Sequence, residues 1–73
     1  MAVEAQEGLA IHVNGDAVAT RAATLDDLVV ELGLAGTRIA TARNGEFVPE
    51  RARAVTRLVP GDRIEILSPR HGG

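Results

Sequence analysis

Apolar and polar positions alternate from residue 9 to residue 13: Leu9, Ile11 and Val13 fall on one side, Ala10 and His12 on the other. A period of two marks a strand with one buried face. Asn14-Gly15 comes next, and both residue types accept the positive φ that a two-residue hairpin demands at its turn. That turn pairs Val13 with Asp16, Ile11 with Val18 and Leu9 with Thr20. Ile11 and Val18 then share the buried face, and His12 is a solvated strand histidine. At Thr24 the period changes. Leu25, Leu28, Val29 and Leu32 recur at helical spacing and form one apolar stripe. Thr24 has the hydroxyl of an N-cap, Asp26 and Asp27 lie where the helix dipole favours negative charge, and Gly33 is a ready stop. A helix of about eight residues is unstable alone in water, so it must lie across a sheet.

After a loop over Leu34–Arg38, Ile39–Arg43 reads as a third strand. Arg43 is expected to avoid the core, which turns Ala40 and Ala42 toward the helix and Thr41 outward. A second Asn-Gly turn, Asn44-Gly45, leads into Glu46-Phe47-Val48, and Pro49 ends that short strand at a sheet edge. Glu50–Leu58 is mostly polar, with Ala54, Val55 and Leu58 as anchors; Arg51, Arg53 and Arg57 read as a solvated cluster, with docking of a partner as the alternative. Pro60-Gly61-Asp62 is a turn. In the last strand, Arg63–Leu67, Ile64 and Ile66 point inward while Glu65 and Leu67 point outward.

The order is therefore strand, strand, helix, strand, short strand, strand, an α+β class with one helix packed across a mixed sheet. The last strand fits best beside the first, parallel to it and in the sheet's middle. This is the β-grasp, or ubiquitin-like, arrangement, with a free C-terminal tail. The expected division is a flexible N-terminal extension over 1–8, a β-grasp domain over 9–68 and a flexible Gly-Gly tail over 69–73.

At 73 residues the chain has room for one small core, and 45% apolar against 25% charged residues describes an ordered domain. There is no cysteine, so packing must hold the fold without disulfides or a cysteine-bound metal. No apolar run nears the ~20 residues of a membrane span. Residues 1–8 lack the basic and apolar segments of a signal peptide, so the expected location is cytoplasmic. A net charge of -2 and a single aromatic residue, Phe47, offer nucleic acid neither electrostatic attraction nor a stacking platform. All eight cations are arginine, which excludes lysine-dependent phosphate binding and Schiff-base chemistry. It also removes the side-chain amines on which chains of this protein would be built onto one another. No paired acid and base stands out, so no catalytic residue is assigned, no metal ligand either, and the chain reads as a non-enzyme.

The sequence closes on Ser68-Pro69-Arg70-His71-Gly72-Gly73, which carries nothing to dock on a core. One reading is a frayed end. The other makes the terminal carboxylate the functional group, because glycines without a Cβ enter a narrow slot and leave the carboxyl carbon open to attack.

The residues resemble the thiamine-biosynthesis sulfur carriers, the ThiS family. The resemblance runs from Leu9 to Gly73. It rests on Val13-Asn14-Gly15, on Thr24-Leu25 with Leu28, and on Ala40 through Val48 with Asn44-Gly45 and then Pro49. Gly61-Asp62-Arg63-Ile64-Glu65-Ile66 closing into Gly72-Gly73 carries the most weight. Pro69-Arg70-His71 departs from the small apolar residues usual before the family's glycines.

The resemblance implies that an adenylating enzyme of the ThiF kind, using ATP and Mg²⁺, activates the Gly73 carboxylate. No cofactor is held by this chain itself. A persulfide donor protein then supplies sulfur, and the resulting thiocarboxylate serves a thiazole synthase. Arg70, His71 and Gly72 would thread into the partner, and Leu67 and Thr41 would form its docking patch on the exposed sheet face. The alternatives are a carrier for molybdopterin, cysteine or tRNA thiolation, and a ubiquitin-like modifier joined to a target's lysine. A plain interaction module, whose glycines have no role, is a further one.

Overall fold

Both Asn-Gly pairs make tight hairpins in the computed structural model, which describes residues 8–68. Asn14 and Asn44 each adopt φ 52°, with Gly15 at 88° and Gly45 at 86°, the left-handed geometry that matches the twist of the flanking strands. The first joins β1 (Leu9–Val13) to β2 (Asp16–Thr20) in the expected register, with Ile11 opposite Val18. The second joins β3 (Ala40–Arg43) to β4 (Glu46–Val48). Between the hairpins lies helix α1 (Leu25–Glu31), and after them come a 3₁₀ segment, Glu50–Val55, and β5 (Arg63–Leu67). The expected extension and tail fall on residues 1–7 and 69–73, outside the described residues.

The strand order is β2-β1-β5-β3-β4. β5 lies in the middle, parallel to β1 and antiparallel to β3. A parallel pair needs a long crossover, and here α1, the β3–β4 hairpin and the 3₁₀ segment all lie within it. Thr24 caps α1 by accepting a hydrogen bond from the Asp27 N–H at 3.1 Å. At the other end Gly33, φ 78°, lets the Gly33 and Leu34 N–H groups bond the carbonyls of Val30 and Val29, a closed helix terminus. Leu32 therefore sits past the last helical turn and is more exposed than the stripe predicts. Leu25, Leu28 and Val29 are buried, and the core joins Leu25 and Leu28 to Ile11, Ala22, Val48, Leu58, Ile64 and Ile66.

β3 corrects the expected orientation. Thr41 is only 2% exposed and lies opposite Val48 and Ile66, both core residues. Ala40 and Ala42 thus occupy the outer face. The reason is that Arg43 shares Thr41's face without being stranded in the core: its guanidinium reaches the rim and pairs with Asp62 at 2.9 Å. Thr41 is satisfied inside. Its hydroxyl donates to the Val48 carbonyl at 2.8 Å and accepts from Arg53 Nε at 3.1 Å. Arg53, expected in a solvated cluster, is buried, and its Nη2 also donates to the Ile39 carbonyl at 2.9 Å. The 3₁₀ winding places Ala52 against the core and turns Ala54 and Val55 to solvent, so Leu58 is the one expected anchor of the three that is buried.

Candidate functional site

Because β5 is central, the chain emerges from the middle of the sheet, not from an edge. Its entry is held tightly. Asp62, 3% exposed, accepts hydrogen bonds from Arg43 Nε at 2.9 Å, from the Val59 N–H at 2.9 Å and from Asn44 Nδ2 at 3.0 Å. Burial alone pushes its carboxyl toward the neutral form. The hydrogen bonds from Arg43, Val59 and Asn44, with the charge of Arg43, outweigh that and hold it below the usual 3.8. Asp62 also accepts the His12 N–H on its backbone carbonyl, which fixes the parallel pairing of β1 with β5.

The outer face of the sheet follows from pleat parity. Leu67, 66% exposed, stands beside Ala40 at the outlet of β5. The next row runs Glu65, Ala42, Phe47, with Phe47 69% exposed. The row below runs Arg63, His12, Ala17. Two large apolar side chains thus rise on either side of half-buried alanines. A shallow hollow lined by His12, Gly15, Arg63 and Glu65 adjoins them. Among the described residues no cluster of His, Asp and Glu is arranged to hold a metal ion.

Of the two residues expected in a docking patch, Leu67 lies on this outer face and Thr41 does not. Adjacent residues of one strand point to opposite faces, and Thr41 faces the helix. The other large apolar side chain on the outer face is Phe47. The signal for it was local: Val48 is inward, so its neighbour must be outward. Arg70, His71, Gly72 and Gly73 lie outside the described residues. No helix among the described residues is long and apolar enough to cross a membrane.

One helix across a five-stranded mixed sheet, with the last strand central and parallel to the first, defines a ubiquitin-like β-grasp protein. The chain belongs to the ThiS family, whose model matches residues 10–73. It is similar to the crystal structure of the thiamine biosynthesis protein (ThiS) from Geobacter metallireducens. That match has a TM-score of 0.72 and 28% sequence identity, over 89% of this chain and 100% of that one. A comparison with curated proteins yields no match. ThiS proteins are small sulfur carriers acted on by other proteins, and this chain is accordingly a carrier, not an enzyme.

Proposed function

We propose that this chain carries sulfur for thiamine biosynthesis on the carboxyl group of Gly73. The observation that carries the reading is the family match through residue 73, joined to a central strand that delivers the chain toward those glycines. In the proposed chemistry an adenylating partner with ATP and Mg²⁺ joins the Gly73 carboxylate to AMP and releases pyrophosphate. The acyl carbon then has a good leaving group, which a free carboxylate lacks. A persulfide sulfur on a donor protein attacks that carbon and expels AMP. A thiol then cleaves the sulfur–sulfur bond, taking one sulfur into a disulfide and leaving a thiocarboxylate on Gly73. The chain has no cysteine, so the sulfur must come from elsewhere. A thiazole synthase would consume it.

This chain's own part is to present the arm and to dock. Leu67 and Phe47 supply the apolar contact, with Arg63 and Glu65 as flanking charges that set register. The test is intact mass after incubation with the adenylating partner, ATP and a persulfide donor. The expected product is heavier by the difference between sulfur and oxygen, with the change mapped to Gly73. An unchanged mass, with the enzyme active on another carrier, would rule the reading out. Complementation of a thiamine-requiring strain against a molybdenum-cofactor strain then assigns the pathway.

A further inference from the structure

The parallel ladder between β1 and β5 runs out before β5 does. Ala10 accepts from the Gly61 N–H at 2.8 Å, the His12 N–H donates to the Asp62 carbonyl at 2.9 Å, and the Asn14 N–H donates to the Ile64 carbonyl at 2.9 Å. The next rung belongs to Ile66. No backbone of β1 reaches it, because Gly15 has already turned the chain back into β2. The Asn14 side chain completes the rung instead. Its Oδ1 accepts from the Ile66 N–H at 2.8 Å, and its Nδ2 donates to the Ile66 carbonyl at 3.2 Å. A primary carboxamide carries the same donor and acceptor as a peptide group, so here it acts as one more residue of β1. Two residues later the described chain ends at Ser68.

We infer that Asn14 is a positioning residue for the carrier's C-terminal glycines: its carboxamide holds the β1 side of the end of β5, from which the chain runs on toward them. The inference rests on the carrier reading above. With Ile66 held on both sides, by Asn14 and by β3, an adenylating partner meets a strand end of fixed direction. With the Asn14 bonds lost, this end of β5 is held only from the β3 side, where Thr41 and Ala40 lie opposite Ile66 and Leu67, and the partner must fix the loosened backbone on binding. Fixing the backbone of even one more residue weakens apparent affinity by on the order of fivefold to thirtyfold.

The test uses Asn14→Gly, which keeps the left-handed turn, since glycine tolerates positive φ, and deletes the carboxamide. Ile66 amide exchange should quicken about tenfold or more, while Ile11 and Leu28 stay protected. With the adenylating partner, KM for the carrier should rise on the order of fivefold or more with kcat at saturation retained. Asn14→Asp keeps the acceptor for the Ile66 N–H and loses the donor to its carbonyl, so it should fall between native and Asn14→Gly. It also keeps the question open to measurement if the glycine variant does not fold. Asn44→Gly is the control: it makes the same deletion at the matching turn, lowers stability and leaves KM at the native value.

An unchanged KM in Asn14→Gly with Ile66 deprotected overturns the inference, as does an equal rise in KM for Asn44→Gly. Failure of the native chain to be adenylated removes the carrier reading and the positioning role with it. That outcome is distinct from the others, because Ile66 exchange would still register the loss of the carboxamide.

Discussion

At its entry β5 is gripped by charge: Asp62 sits buried among Arg43, Asn44 and the Val59 N–H. At its outlet, four residues on, the β1 side of Ile66 is held by one neutral carboxamide, β3 lies on the other side, and the Leu67 side chain stands open to solvent. The same turn chemistry supplies both grips. Asn44 accepts the Arg63 N–H on its Oδ1 at 2.8 Å, as Asn14 accepts that of Ile66. What differs is the surroundings: one carboxamide is wired into a half-buried ion pair and the other into a single backbone rung. The difference teaches where rigidity belongs in a carrier. The strand is locked by charge at its start, and its last residues are held by a bond that fixes direction without burying Leu67.

The largest effect is expected where the grip is strongest. Asp62→Ala leaves Arg43, Asn44 and the Val59 N–H without their carboxylate, while the backbone rung to His12 is kept. Arg43 is one-third exposed, so water compensates part of the loss, and a destabilisation of about 2–4 kcal/mol is expected in chemical denaturation. A loss under about 1 kcal/mol would show that the entry is not the stronger end. The same group sets an acid limit. The Asp62 pKa is lower folded than unfolded, so its contribution is complete above the unfolded pKa of about 4 and drains away as pH falls through the folded value. Between neutral pH and about pH 3 the native protein should therefore lose more stability than Asp62→Asn. Parallel curves for the two proteins would contradict that.

A smaller effect belongs to the buried pair beneath β3. Arg53→Met removes the bonds to Thr41 and Ile39 and should cost about 1–3 kcal/mol. Thr41→Val alone strands Arg53 Nε and the Val48 carbonyl. Because each change orphans the other's partner, the double variant should be less destabilised than the sum of the singles. Strict additivity in a double-mutant cycle would mean that the two side chains do not act together.

The same residues mark where the sequence was legible and where it was not. β1, β2, α1 and β5 announce themselves because each signal is local: a period, a cap, a turn pair. β5's central place follows from topology alone. β3's orientation was misread because a charged residue was assigned outward by its type. The rim contact that lets Arg43 share the core face comes from Asp62, 19 positions away. Arg53's burial likewise depends on Ile39 and Thr41, which no pattern within Glu50–Val55 announces. Asn14 was read as turn chemistry, which it is, but its side chain's partner lies 52 positions downstream. Phe47 was not among the residues expected in the patch, although its strand neighbour Val48 faces the core and parity turns Phe47 outward.

The smallest effect on stability is expected at the outlet, where the largest effect on docking should appear. Leu67 and Phe47 are each about two-thirds exposed, so Leu67→Asp and Phe47→Asp remove little buried area and should shift stability by no more than about 0.5 kcal/mol. Both would set a carboxylate on an apolar face beside Glu65, which already carries negative charge there. A partner that buries this face must desolvate the new charge or reject it, and the KM for adenylation should rise at least about tenfold for either variant. Thr41→Val is the discriminating companion, since it lies on the opposite face and should perturb stability without a matching rise in KM. If Thr41→Val weakened the partner as much as Leu67→Asp did, docking would not run over the outer face, and the contrast between a locked entry and an open outlet would lose its functional meaning.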